Sequence, residues 1–339
     1  MHLPGFVDLQ VNGHLGCDFS SPSMSAEQLR AVCDKLLAAG TAAFLPTMIT
    51  APMTVYERNL PILAKAIDSK LFRGRLLGIH LEGPFLTPKP GPIGAHRPEH
   101  TLAPEVDVLG RLVDLAGGFV RMLTLSPELP GAEKLIAWAV GRGICVSCGH
   151  TMATADDLAR ATDAGATAFT HLGNGLGQVV PRHANPIWAA LAEDRLAATI
   201  ITDGHHLPPP VIKSFLRAKG VERTIVISDA APLAGMAPGR YRALGNEVVL
   251  EPDGKLHNPS KNCLVGSSST MLQCMTHLAS LDILSAAELR AVGLDNPLRL
   301  LGLSPTDLRP AGSVQYDPAS LRFKKSVPAR RDNPQSAID

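Results

Sequence analysis

Eight short apolar runs recur along the chain, most of them followed by a helix-length amphipathic stretch. They are Gly5–Val11, Ala42–Ile49, Leu76–Leu81, Val120–Leu125, Ile144–Ser147, Thr167–Thr170, Ala197–Ile201 and Thr224–Ile227. Each run is continuous rather than alternating, which is the pattern of parallel strands buried on both faces. The helical signals between them have recognisable ends. Ser25 with Gln28 reads as a capping box, and Gly40 closes that helix. Thr154–Ala164 reads as an Ala-rich helix with Asp156 and Asp157 in its first turn, ending at Gly165. Eight strand-then-helix units in roughly 300 residues specify an α/β chain of the (β/α)8 barrel class. An open doubly wound sheet is the runner-up, but no GxGxxG follows the first run. Phe85–Thr101 departs from the plain pattern as a loop rich in Pro and Gly. Arg240–Cys263 departs as a β-hairpin insertion, within about 239–263, turning at the Asp-Gly of EPDGKL.

Charge and composition exclude several classes of partner. Lys plus Arg is 32 and Asp plus Glu is 31, a net charge of +1. Nucleic acid and anionic membranes call for a clustered positive field, so neither is expected as a partner. No run is long and apolar enough to span a bilayer, and MHLPGFVDLQ does not read as a signal peptide. The six cysteines, Cys17, Cys33, Cys145, Cys148, Cys263 and Cys274, are scattered, which favours free thiols and a cytoplasmic location. Cys145 and Cys148 form a single CxxC inside an apolar run. They read as packed thiols on a buried strand, because a zinc ribbon needs a second pair.

In a barrel, the chemistry gathers at the C-terminal ends of the strands. The runs end in polar residues: Asp8, Gln10 and Asn12 on the first, Glu82 on the third, His150 on the fifth and His171 with Asn174 on the sixth. Asp203, His205 and His206 end the seventh, and Asp229 the eighth. A lone His or Asp after a strand is more often structural. Here Glu, His, His and Asp converge from four strands on one mouth. Catalytic zinc takes about three His or carboxylate ligands and keeps a position open for water. Glu82, His150 and His171 supply that set, and Asp229 remains as a base.

The segments PGFVDLQVNG, HLEGPF, GAH, GHT, THLGN, DGHHL, ISDA and LVGSSSTM occur in this order between Pro4 and Leu303. In this they resemble the N-acetylglucosamine-6-phosphate deacetylases, within the amidohydrolase superfamily of metal-dependent barrels. The resemblance implies removal of the acetyl group from N-acetylglucosamine 6-phosphate, leaving glucosamine 6-phosphate and acetate. It implies one divalent metal ion per subunit, zinc, on Glu82, His150 and His171, with Asp229 as general base and then acid. His96, beside Ala95 in GAH, would sit near the substrate carbonyl and sugar. Asn174 and the backbone of Gly175 would contact the sugar phosphate, and His206 the sugar or phosphate. Arg182 would reach the phosphate in a neighbouring subunit, implying a homodimer. Gln10 and Asn12 stand where many amidohydrolases carry His-x-His for a second metal; neutral amides are poor zinc ligands, so a single metal is expected.

The chain also departs from that family. HLGNGLG carries three glycines around Asn174, so the sugar pocket is expected to be wider or differently shaped. An unphosphorylated or differently configured N-acetylamino sugar, or a non-catalytic sugar-binding barrel, stays open as an alternative. Gly266–Ser269 reads equally as a phosphate cradle or an ordinary helix cap. Family members place strands before the first barrel strand that join C-terminal strands in a small β-sandwich. That sandwich is expected to be reduced or absent here. Residues 1–305 then form the barrel, and 306–339 a short strand-like remnant and a polar tail.

Overall fold

The computed structural model describes residues 1–326; the rest of the expected polar tail, 327–339, lies outside the described residues. Eight parallel strands form one sheet: β1 (Phe6–Val11), β2 (Thr41–Ile49), β3 (Ile79–Glu82), β4 (Val120–Leu125), β5 (Cys145–Cys148), β6 (Ala168–Phe169), β7 (Ala197–Ile201) and β8 (Thr224–Ile227). They are hydrogen-bonded in sequence order. The ends β8 and β1 meet at the mouth, where the amides of Asn12 and Gly13 donate to Ala230 O at 2.8 and 3.2 Å. The expected (β/α)8 barrel is therefore present, and all eight apolar runs contribute a strand. The sixth run keeps only two residues in the ladder.

A helix follows each strand: α1 (Ala26–Ala38), α2 (Met53–Asp68), α3 (Val106–Leu115), α4 (Ala132–Val140), α5 (Ala155–Asp163), α6 (Pro186–Ala192), α7 (Pro209–Lys219) and α8 (Met271–Ser280). The capping boxes at Ser25 and Thr154 are both formed. Each helix turns a stripe of Leu, Val, Ile and Ala onto the sheet. In α1 the stripe is Leu29, Val32, Cys33, Leu36 and Leu37, at the spacing a 3.6-residue period requires. Cys145 and Cys148 lie on β5 as packed thiols, and all six cysteines are unpaired. Among the described residues, no helix is long and apolar enough to cross a membrane.

The insertion before α8 is larger than the single hairpin expected at 239–263. It is a four-stranded antiparallel meander of β9 (Gly239–Ala243), β10 (Asn246–Leu250), β11 (Leu256–Asn258) and β12 (Cys263–Leu264). The Asp253-Gly254 turn joins β10 to β11, with Gly254 at φ +97°. The meander has a small core of its own, in which Val248, Leu250, Leu256 and Val265 pack with Ile49, Leu233 and Leu244. That core seats the sheet over the barrel mouth. At the other end, β13 (Ser313–Asp317) and β14 (Arg322–Ser326) form a three-stranded sheet with His2–Leu3. Phe323 packs edge-on against Phe6 of β1, with ring centroids 4.9 Å apart. Among the described residues, this one sheet stands where a β-sandwich was expected to be reduced or absent.

Candidate metal centre and catalytic pocket

Glu82 is the last residue of β3. His150 and His171 follow β5 and β6 by two residues, and Asp229 follows β8 by two. All four are buried. His150, His171 and Asp229 have left-handed backbones, at φ +51°, +35° and +49°. Such a backbone costs a non-glycine residue of order 1–3 kcal/mol and persists only where its surroundings enforce it. Here it turns each side chain from the strand end inward over the mouth.

Three donor atoms meet there. His150 Nε2 lies 3.1 Å and His171 Nε2 3.0 Å from Glu82 Oε1, and the two nitrogens are 3.0 Å apart. Tetrahedral ligands about 2.0–2.1 Å from a zinc ion sit about 3.3 Å from one another, so the triangle has the size of a metal site. Its chemistry fits as well. His150 Nδ1 donates to Pro92 O at 2.8 Å, which fixes the ring so that Nε2 is the nitrogen facing the triangle. Burial opposes charge on Glu82, but hydrogen bonds from His150 and His171 outweigh it. They hold the carboxyl well below its usual range. A charged carboxylate and two imidazoles are thus gathered as a ligand set for a divalent ion.

Asp229 stands beside this set. Its Oδ1 accepts from Asn12 Nδ2 at 2.7 Å and from Gln10 Nε2 at 3.0 Å, and Gln10 Nε2 also donates to Glu82 Oε1 at 2.8 Å. The two amides therefore present N–H groups to the carboxylates and tie them together. Burial, then the nearby charge of Glu82, pushes the Asp229 carboxyl up to about 6. His96 Nδ1 lies 3.0 Å from Thr50 Oγ1 and also accepts from the Thr50 amide at 3.4 Å, leaving Nε2–H free to donate. Burial, then the neighbouring His150, lowers its pKa to about 3, so the ring is neutral.

Asn12, Glu82, His96, His150, His171 and Asp229 line a cavity of about 900 Å³, together with Ala95, Asn174, Gly175, His206 and Leu264. Asn174 Nδ2 is buried without a hydrogen-bond partner, a donor available to a ligand. His206 Nδ1 lies 2.8 Å from Asp203 Oδ2, which also accepts from Ser267 Oγ at 2.7 Å. Burial disfavours charge on His206, but the bond to Asp203 and its charge outweigh that and raise the pKa above the usual value.

The comparisons with known proteins agree with this geometry. Residues 1–294 match the amidohydrolase family. The chain belongs to that family. The N-acetylglucosamine-6-phosphate deacetylase of Bos taurus is 34% identical over 314 residues, 88% of this chain and 74% of the relative. The N-acetylgalactosamine-6-phosphate deacetylase of Escherichia coli O157:H7 is 30% identical, over 88% of this chain and 78% of the relative. A mutant N-acetyl-D-glucosamine-6-phosphate deacetylase from Mycobacterium smegmatis has been solved in complex with N-acetyl-D-glucosamine-6-phosphate. It aligns with a TM-score of 0.85 at 30% identity, covering 95% of this chain and 84% of that one.

Most of the residues expected at the site of this amidohydrolase come together: Gln10, Asn12, Glu82, Ala95, His96, His150, His171, Asn174, Gly175, His206 and Asp229. Arg182 does not join them. It is exposed and does not line the cavity of its own chain. Two of the three hydroxyls in Gly266–Ser269 are committed within the protein: Ser267 to Asp203, and Ser268 to Gly254 O at 2.6 Å. Sequence reasoning missed Asp203 as the partner that orients His206, although an acid three residues before a histidine was a legible sign. It also missed Thr50 and Pro92 as holders of the histidines, and the meander as a wall of the cavity.

Gly175 shows how tightly the histidines are held. Its φ is +63°, and a Cβ there would lie 2.9 Å from His171 Cε1 and 3.1 Å from His150 Nδ1. Gly175→Ala is expected to weaken metal affinity about 10- to 100-fold, the cost typical of disturbing the groups that orient ligands. Competition against a chromophoric chelator measures it. Unchanged affinity would show that the loop yields and does not set the ring positions.

Proposed function

We propose that this amidohydrolase removes the acetyl group from N-acetylglucosamine 6-phosphate, releasing acetate and glucosamine 6-phosphate. The observation that carries the reading is the donor triangle of Glu82, His150 and His171 with Asp229 beside it at the floor of a sugar-sized cavity. One zinc ion held by these three residues supplies, when bound, Lewis acidity toward a water molecule and the acyl oxygen. Every other task falls to the chain. Asp229 takes the proton of the attacking water on the oxygen that Asn12 and Gln10 leave open, and returns it to the departing nitrogen. Neutral His96 donates from Nε2 to the acyl oxygen as negative charge develops there. Asn174, the Gly175 backbone, Ala95 and His206 hold the sugar phosphate. Gln10 and Asn12 turn N–H groups to the carboxylates, and neutral amides are poor zinc ligands, which supports a single metal.

A second copy of the chain is the proposed partner. Arg182 lies between Val179 and Trp188, which are 91% and 56% exposed, and this face would bring Arg182 toward the neighbouring pocket. Unpaired cysteines and a phosphorylated substrate accord with action in the cytoplasm. Residues 1–305 are taken as the catalytic barrel, with 306–339 an appendage. The glycines flanking Asn174 and the galactosamine-type relative favour one second reading, deacetylation of the galacto-configured sugar phosphate.

Acetate release tests the reading. The substrates are N-acetylglucosamine 6-phosphate, its galacto isomer and unphosphorylated N-acetylglucosamine, each with and without a chelator. Release from the gluco phosphate should dominate, vanish on chelation and return with zinc. Chelator-insensitive release would overturn the metal chemistry, and a higher kcat/KM on the galacto isomer would install the second reading.

A further inference from the structure

The meander brings three basic side chains to the cavity that holds the metal centre: Lys255, His257 and Lys261. None of them belongs to the barrel. His257 is on β11, Lys255 immediately precedes it, and Lys261 sits in the turn between β11 and β12. That turn is well held. Asn258 Oδ1 accepts from the Ser260 amide at 3.0 Å, Ser260 Oγ at 2.7 Å and the Lys261 amide at 3.2 Å. Gln178 Nε2 donates to Asn262 O at 3.2 Å, joining the turn to the glycine-rich loop after β6. The Asn174–Gly175 loop and the Lys261 turn therefore form one continuous rim.

The charges on this rim are unequally committed. His257 Nε2 bonds Glu251 Oε1 at 2.9 Å. Lys255 and Lys261 take part in no ion pair among the described residues, and both border the cavity. A substrate with a neutral acetamido end and a dianionic phosphate end would meet these unpaired lysines with its phosphate, while the metal centre takes the acetamido end. Arg182 borders no part of this cavity in its own chain.

We propose that Lys261, assisted by Lys255, forms a phosphomonoester subsite within the same chain as the metal centre, opposite Asn174 and His206. The subsite rests on the amino-sugar phosphate reading given above. It makes phosphate recognition a property of the meander, with any Arg182 from a partner adding to it.

Kinetics and binding test it together. The preference for N-acetylglucosamine 6-phosphate over N-acetylglucosamine, as a ratio of kcat/KM, should fall about 10- to 100-fold in Lys261→Ala, the loss expected for one charge-assisted hydrogen bond. The fall should appear in KM rather than kcat, deepen in the Lys255→Ala, Lys261→Ala pair, and be restored in part by Lys261→Arg. An intact preference in the pair, with a collapsed one in Arg182→Ala, would overturn the subsite and give the phosphate to the partner's arginine. Calorimetry with glucosamine 6-phosphate against glucosamine, on wild type and Lys261→Ala, separates this outcome from failure of the catalytic reading. A chain that releases no acetate but loses phosphate-dependent binding in Lys261→Ala keeps the subsite. No phosphate-dependent binding in the wild type removes it.

Discussion

Asp229→Asn is expected to lower kcat for acetate release by about 10²–10⁴-fold, the range ascribed to one positioned general base, while metal stays bound. An asparagine amide is nearly isosteric but cannot accept a proton, so both proton transfers assigned to this position fail. The substitution leaves Glu82, His150 and His171 in place. Metal content by mass spectrometry and kcat should therefore part company, which a merely structural aspartate would not produce. Asn12 Nδ2 and Gln10 Nε2 now both donate to Asp229 Oδ1. In the variant they would face an amide that flips to offer its oxygen, so the local fold survives. A loss of less than tenfold would remove Asp229 from the proton path.

Glu82→Gln should act one step earlier. Glu82 is the only anion among the three donors, and its charge is stabilised by the two imidazoles in turn. With a neutral amide in its place the ligand set falls to two histidines, and metal affinity should drop by more than about 100-fold. Activity at limiting metal follows it down. The folded state reports the same loss independently of turnover. A ligand at a hundredfold excess over its Kd stabilises the native chain by about 2.7 kcal/mol. Wild-type protein should thus melt higher with added zinc, and Glu82→Gln should not. Equal zinc responses would mean that the ion binds elsewhere. The two variants also separate the roles: the first loses turnover and keeps metal, the second loses both.

The barrel was legible because its determinant is local. A parallel strand covered on both faces is largely apolar, so β2 reads as TAAFLPTMI with every residue buried. The ligand set was legible for the opposite reason, since a polar residue closing such a run has few places to go but the mouth. The meander was underestimated because β11 and β12 have three and two residues and no alternation to detect. Its contribution to the cavity depends on Val248, Leu250 and Val265 docking beside Leu233, a contact between segments with no local signal. Arg182 was assigned by spacing to the pocket of a neighbouring subunit, and its exposed position outside its own cavity leaves that assignment to be tested in the assembled protein. The bond from Asp203 to His206 spans three residues and was legible in the sequence as an acid placed one turn before a histidine.

The left-handed backbones at His150, His171 and Asp229 restrict the site in a way that chemistry alone does not. Many side chains can bind a metal or carry a proton, including Cys, Glu and Lys. Among non-glycine residues, His, Asp and Asn accept this backbone region far more readily than most. The barrel mouth thus screens candidates twice, once for reactivity and once for backbone shape. A Glu at Asp229 keeps the carboxylate but meets a higher backbone cost. A designer who transplants this centre would therefore have to carry over the three turns along with the three side chains.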